Sequence, residues 1–405
     1  MPPNVQPMTP LTMTASTLVT ANGRGLGPVL QSLRERRSGL KLCDFEDVTL
    51  KTCIGRVEGL EDFSLGNELE RFDCRNNRLA WLGLQQDGFM VAVAEARQRY
   101  GAHRIAVVMG TSTSGILETE HAYQERDLVG SLPRWYTSRY RYTHNMFSLG
   151  HFVRACLGLR GPAMVVSTAC SSSAKVFASA DRLLRAGLCD AAIVGGVDSL
   201  CLTTLCGFSA LQLLSTSPCR PCDEDRDGLS LGEAAGFALL ESSERVSRRG
   251  AVGLLGYGES TDGYHMSHPH PEGAGAIRAI RDALGRAGLE PTDIDYVNLH
   301  GTATRANDAV EDKAVSGIFG RTTPCSSTKG WTGHTLGAAG ITEALISVLC
   351  LKHGFLPGTL NCERIDPTLH SQILCDNDVR PVRRILSNIF GFGGNNCSLI
   401  LGTLR

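Results

Sequence analysis

The sequence has no long hydrophobic run, almost no net charge and no low-complexity segment. Its most apolar stretches, such as Ala344–Leu351, cover eight residues, far below the roughly 20 that a membrane-spanning helix needs. Forty Lys and Arg stand against 41 Asp and Glu, a net charge of −1. That balance excludes a global drive toward nucleic acid or an anionic membrane and leaves only local patches. Residues 1–20 have neither a basic start nor an apolar core, so no export signal is read there.

What is present is globular. The 405 residues, 42% apolar and 20% charged, suffice for two or three domains or one large α/β unit. Fifteen cysteines, an odd number scattered through apolar stretches without an export signal, read as reduced thiols in the cytoplasm. Short β-rich runs (Arg104–Met109, Ala163–Ser167, Ala191–Val194, Tyr296–Leu299, Ser398–Leu401) alternate with helical patterns (Ala80–Arg97, Ser173–Ala186, Ala274–Ala287, Ile341–His353). Gly187 and Gly288 follow two of these helices, where a left-handed residue is wanted. The alternation predicts mostly parallel sheets covered on both faces. A weak echo links Arg104–Thr113 to Asp295–Thr304: each is a strand followed by a Gly-Thr turn, about half a chain apart, as a duplicated α/β half would give.

The strongest chemical signal is Val165-Val166-Ser167-Thr168-Ala169-Cys170-Ser171-Ser172-Ser173-Ala174. A β-branched strand enters a turn of small residues and then a long helix, placing Cys170 on an elbow at a helix N-terminus. Free N–H groups and the positive dipole end favour a thiolate there, against the plain alternative of a buried structural cysteine. His300 ends a strand in Asn298-Leu299-His300-Gly301-Thr302-Ala303-Thr304. His334 stands in Gly333-His334-Thr335-Leu336-Gly337, just before an apolar helix. Either could donate an N–H to a developing oxyanion; either alone could be structural. With Cys170 they make a nucleophile and two donors.

Other motifs carry less. Ser172-Ser173-Ala174-Lys175 spells S-x-x-K, but its S-D-N and K-T-G companions are missing. His265-x-x-His268-x-His270 lacks a fourth zinc ligand nearby, and Cys219-x-x-Cys222 lacks a second pair, so no metal is expected. Gly391-Phe392-Gly393-Gly394 does not open a helix after a strand, as a dinucleotide loop would.

Together these segments resemble the β-ketoacyl-ACP synthases, the elongating condensing enzymes of fatty-acid and polyketide pathways. The likeness runs from about residue 70 to the C-terminus. It rests on Gly161-Pro162 through Ser172; on Pro221-Cys222-Asp223-Glu224-Asp225-Arg226-Asp227-Gly228 with Gly232-Glu233-Ala234-Ala235-Gly236, where Cys222 replaces the usual Phe; on His300-Gly301-Thr302-Ala303-Thr304 with Asp308 and Glu311; on Lys329 with Gly333-His334; and on Gly391-Phe392-Gly393-Gly394.

The resemblance implies a thiolase-like, five-layered αβαβα fold of two duplicated halves, divided here at 1–250 and 251–405. It implies that Cys170 takes an acyl chain from an acyl carrier protein, and that His300 and His334 stabilise the enolate formed as malonyl-ACP loses CO₂. The backbone N–H groups of Cys170 and Phe392 would form an oxyanion hole. Thr302 and Thr304 would bind pantetheine, Thr113 and Phe208 the acyl chain, and Lys329 would pair with Glu311. No cofactor is implied beyond the phosphopantetheine on the carrier. Arg75-Asn76-Asn77, Gly110–Gly115, Ser260–Met266 and Gly394-Asn395-Asn396 look most like synthases of aryl polyene clusters. Such synthases often pair with a chain-length-factor-like subunit, so a heterodimer stands beside the family's usual homodimer. The alternatives are a non-catalytic partner subunit and an acyltransferase that never condenses. An acidic carrier calls for a basic docking patch, with Arg134, Arg139 and Arg141, or Arg245, Arg248 and Arg249, as candidates.

Overall fold

The computed structural model describes residues 6–404 except 63, 67, 245 and 247–249. They form two halves that repeat one topology. In the first half the strands, in chain order, are Leu11–Thr20, Ile105–Gly110, Ala163–Val166, Ala191–Asp198 and Ala234–Ser242; in the sheet they lie in the order third, second, fourth, fifth, first. In the second half Val252–Thr261, Tyr296–Asn298, Pro324–Ser326, Arg384–Gly391 and Asn395–Thr403 repeat that order, with the short Gln372–Ile373 added at the outer edge. The halves join through their first strands, Leu11 opposite Leu254 and Thr12 opposite Gly253. The Gly-Thr turns after Gly110 and His300 both follow a second strand. The echo in the sequence is therefore a duplication.

Within each half the second, third and fourth strands run parallel, and in the second half the added Gln372–Ile373 extends that parallel run beside Pro324–Ser326. The fourth pairs antiparallel with the fifth, and the fifth with the first. The sheets are thus more evenly mixed than an alternating strand–helix pattern indicates. The reason is local in the second half, where Arg384–Gly391 and Asn395–Thr403 form a hairpin closed by a three-residue tip instead of a helical crossover.

The third strand of each half feeds a central helix, Ser172–Arg185 or Ala339–His353. These two helices pack against each other: Ile341 N–H donates to Ser173 Oγ at 2.9 Å. At Gly340 an added Cβ would lie 2.3 Å from Ala174 N, an approach only glycine permits. Every residue from Ala339 to Leu351 is buried, which is why this helix is apolar on all sides. The stretch Leu336–His353 is long and apolar enough to cross a membrane by composition, yet 89% of it is buried inside the protein.

Helices Arg75–Leu84, Phe89–Tyr100 and Ser148–Leu157 cover the first sheet's outer face, and Ala274–Ala287 and Arg305–Phe319 cover the second's. The result is five layers. The single helix expected over Ala80–Arg97 is instead two, broken where Asp87 and Gly88 take φ of 53° and 68°; the Asp-Gly pair was the signal for that turn.

Candidate active site

The elbow after Ala163–Val166 is held by its own hydroxyls. Ala169 takes a left-handed φ of 51° immediately before Cys170, a strained setting for a side chain with a Cβ. Ser172 Oγ accepts from Thr168 N–H at 2.9 Å and donates to Ala169 O at 2.5 Å, while Ser171 Oγ donates to Thr168 O at 2.9 Å. Ser172 is therefore committed to the turn, which removes the S-x-x-K nucleophile reading. Cys170 sits buried at the head of Ser172–Arg185.

The second half brings two imidazoles to this thiol. His334 Nε2 lies 3.0 Å from Cys170 Sγ. The His300 ring stands at 84° to His334 with centroids 5.2 Å apart. Lys329 Nζ lies 3.2 Å from His300 Nδ1 and also donates to the His300 carbonyl. An ammonium has only protons to offer, so Nδ1 must accept, and the proton of neutral His300 is assigned to Nε2. His300 is thereby set as an N–H donor.

The ion pair expected between Lys329 and Glu311 does not form. Lys329 pairs with Glu343, on the central helix just beyond it, and both side chains are about 97% buried or more. Glu311 instead accepts the backbone N–H groups of His300 and Gly301, each at 2.8 Å. Its carboxylate fixes the turn that carries His300, so it acts on the second histidine's main chain while Lys329 acts on its ring. Glu343 was not singled out in the sequence. Its signal was there: it is the lone acid between Ile341 and Leu351, and an acid in such a run is seldom buried unpaired.

Burial dominates the electrostatics. It pushes the Cys170 thiol up to about 11, against the pull of the Phe392 N–H and the Lys329 charge; the depressed thiol expected at a helix N-terminus is thus overruled by desolvation. Burial, with Lys329 and then His334 adding to it, holds His300 well below the usual imidazole range, and burial with Lys329 does the same to His334. Both rings are neutral at pH 7. Burial lifts Glu311 and Glu343 to about 7.

A cavity of about 350 Å³ opens onto the thiol. Its wall includes Cys170, His300, His334, Phe392, Thr302, Thr304 and Phe208. Phe208 stacks on Phe392 at 5.5 Å, and the Thr302 and Thr304 hydroxyls lie 2.9 Å apart. Thr113 is not part of this wall. Its N–H and hydroxyl both bind Asp198, at 3.0 and 2.8 Å, together with donors from Thr111, Ser112 and Gly337. The fully buried Asp198 carboxylate collects these groups, so Thr113 presents no polar floor to this cavity.

Among the described residues, Cys170, His300 and His334 form the only group of three possible metal ligands, with ligand atoms within 4.8 Å of one another. His265 and His268 approach through Nδ1 at 3.2 Å without a third partner of that kind. Cys219 Sγ bonds the Lys329 carbonyl at 3.2 Å, and Cys222 N–H bonds Asp308 at 3.0 Å. Arg139 is engaged with Glu70 at 3.2 Å; Arg245, Arg248 and Arg249 lie outside the described residues.

A duplicated αβαβα body with a buried Cys-His-His centre between its halves is the architecture of a condensing enzyme. The chain belongs to the β-ketoacyl synthase family: the family's N-terminal domain matches residues 9–245 and its C-terminal domain residues 252–363. It is 43% identical over 260 residues to 3-oxoacyl-[acyl-carrier-protein] synthase 2 of Rhizobium meliloti, covering 60% of this chain and 61% of that protein. Over 278 residues it is 41% identical to the mitochondrial 3-oxoacyl-[acyl-carrier-protein] synthase of Arabidopsis thaliana, covering 64% of this chain and 60% of that one. The match thus spans about three fifths of these relatives' length. Among solved structures, the ketosynthase ApeO of Xenorhabdus doucetiae, in complex with its chain length factor ApeC, is 38% identical with a TM-score of 0.88, covering 98% of both chains. A β-ketoacyl synthase of Burkholderia phymatum is 28% identical with a TM-score of 0.87, covering 98% of this chain and 100% of that one.

Proposed function

We propose that this chain is the catalytic subunit of a decarboxylative condensing enzyme that lengthens an acyl chain held on Cys170. The observation that carries the proposal is His334 Nε2 at 3.0 Å from Cys170 Sγ, beside a His300 whose free nitrogen is set as a donor by Lys329. A non-catalytic partner subunit has no need of such a centre.

In the first half-reaction the Cys170 proton passes to His334 Nε2 and the thiolate attacks the acyl thioester. The Cys170 and Phe392 N–H groups stabilise the oxyanion, and the carrier sulfur leaves with the proton His334 had taken, so the ring returns to its neutral state. In the second, the C–C bond of a malonyl thioester breaks, CO₂ departs, and the electron pair becomes an enolate bonded by the Nε2–H groups of neutral His300 and His334. The carbanion attacks the Cys170 thioester and expels the thiolate, which takes a proton from solvent. One solvent proton is consumed overall, and the two donors matter because charge on the enolate oxygen appears only in the transition state.

The carrier's acidic face has a complementary surface. A pocket of about 420 Å³ is lined by Arg71, Arg154, Arg160 and His151, and these three arginines have no carboxylate partner among the described residues. Arg71 is held over the Phe72 and Tyr142 rings at 5.0 and 4.9 Å. The partner subunit would cover the edge strand Ala163–Val166, whose Met164 is 40% exposed and whose free edge otherwise invites aggregation. The likeness to a ketosynthase solved with its chain length factor supports a heterodimer, and with the motifs above it supports an aryl polyene substrate. The fifteen cysteines are all free, which suits the cytoplasm.

Intact-protein mass spectrometry tests this reading. Aryl-polyene acyl-carrier thioesters should acylate Cys170, and malonyl-carrier should chase the label into a chain two carbons longer. Release of free acid without malonyl-dependent CO₂ would point to a plain acyltransferase.

A further inference from the structure

The lysine of the rejected S-x-x-K motif remains unexplained by the chemistry above, and its position is unusual. Lys175 lies one turn into the nucleophile helix and is half-buried. Its ammonium does not point to Ser172; it donates to Asn395 Oδ1 at 3.1 Å. No carboxylate partner for it occurs among the described residues.

Asn395 is where the hairpin of the second half closes. Its backbone faces Gly391 across the Arg384–Gly391/Asn395–Thr403 pair and Thr261 on the other side. Between Gly391 and Asn395 lies the tip that carries Phe392. Gly393 and Gly394 of this tip both take positive φ, 75° and 69°, and their outer side is tied down: Gly393 N–H donates to Met266 O at 2.7 Å and Asp262 N–H donates to Gly394 O at 2.9 Å. The tip also sits tightly against the elbow, since a Cβ on Gly391 would lie 3.1 Å from Ser171 N and 3.2 Å from Thr168 O. Those bonds fix the side of the tip turned away from the elbow, and a glycine-rich turn keeps its other side in place only if something there holds it too.

We propose that Lys175 is a positioning residue for the oxyanion hole: by gripping Asn395 from the nucleophile helix, it holds the Phe392 N–H in register with Cys170. The grip spans the two halves, because Lys175 belongs to the first and Asn395 to the second. A uniform loss of fold stability cannot mimic it. The Phe392 N–H lowers the thiol's proton affinity, so slackening the tip moves the Cys170 titration upward as well as slowing acyl transfer.

The inference rests on the acylation of Cys170, and the test separates the two. The full chain, assembled with any partner it requires, is assayed for single-turnover acylation and for Cys170 alkylation by iodoacetamide across pH. Lys175→Met should slow acyl transfer about tenfold, less than outright loss of an oxyanion donor, with the carrier KM changed no more than about twofold. Its alkylation profile should shift to higher pH, and Lys175→Arg should restore both readouts to within about threefold. Asn395→Ala should match Lys175→Met, and the double variant should be no slower than either single one. A Lys175→Met protein with wild-type acylation and an unmoved profile, or additive single effects, would overturn the grip. Failure of the wild-type chain to acylate at all would instead overturn the condensing reading, while the alkylation profiles still decide the role of Lys175.

Discussion

The loop after the third strand of the first half and the loop after the third strand of the second half occupy equivalent places, and they do opposite jobs. The first, 167–171, is a tight elbow that presents one nucleophile. The second, 327–335, is longer, contains the short helix Lys329–Thr332, and delivers a cation and an imidazole separately. Each feeds a central helix, and those helices touch through Ser173 and Ile341. Duplication supplied two equal mouths facing one cavity; divergence gave one of them the bond-forming atom and the other the charge control. In the proposed reaction a covalent step and an enolate make different demands, and the fold would meet them from separate halves.

Substitutions that remove one job and leave the other break this comparison most sharply. Cys170→Ala should abolish both half-reactions, a loss of roughly 10⁴-fold or more, as expected when a nucleophile is deleted. His300→Ala should leave Cys170 acylation within about tenfold and reduce malonyl-dependent condensation by about 10²–10³-fold, the scale of a lost oxyanion donor. Single-turnover acylation measured apart from CO₂ release separates the two. If His300→Ala suppressed acylation as deeply as condensation, the division of labour between the halves would be wrong.

The longer loop is held to the central helix by the buried Lys329–Glu343 pair. Lys329→Met leaves the Glu343 carboxylate buried without its cation. Burial lifts its carboxyl from an ordinary 4.5 to about 7 even with Lys329 pulling it down; without that cation it lies higher still, so the folded variant binds the proton more tightly than the unfolded chain. Its contribution to stability therefore falls as pH rises from about 4.5 to 7 and beyond. Lys329→Met should accordingly destabilise the protein by about 3–5 kcal/mol at pH 8 and by visibly less at pH 6, as denaturant unfolding would read. Adding Glu343→Gln should recover most of that stability. It should not recover condensation, because the His300 Nδ1 would still lack the donor that fixes its tautomer.

How far these features were legible in the sequence follows from their range. Cys170 and His300 each follow a strand and His334 precedes an apolar helix, all among small residues, a local pattern that needs no partner to be seen. The Lys329–Glu343 pair was misassigned to Glu311 because its members are related by a loop's exit into a helix, and nothing in either neighbourhood says which acid the lysine faces. Thr113 was misplaced for a similar reason. Its hydroxyl was free to be a pocket floor until the end of a distant strand supplied Asp198. The helix break at Asp87-Gly88 is marked by a turn dipeptide, but the apolar periodicity that continues on both sides of it masks the mark. The matching strand order of the two halves was visible only as two Gly-Thr turns, because strands such as Leu11–Thr20 and Ala234–Ser242 find each other across the chain.

The finest contrast between the halves is electrostatic. Lys329, from the second half, favours the Cys170 thiolate, and Asp198, from the first, disfavours it. With the thiol raised to about 11 by burial, wild-type alkylation by iodoacetamide should climb roughly tenfold per pH unit from 7 to 10, without a plateau in that interval. Asp198→Asn should make alkylation faster at a fixed pH, by about two- to fivefold for one charge acting at an effective protein dielectric. Lys329→Met should make it slower by a similar factor. Opposite signs from the two halves would show that the thiol is balanced between them. A plateau near pH 7 in the wild-type protein would mean that the helix N-terminus outweighs desolvation after all, and the elbow alone would then account for the nucleophile.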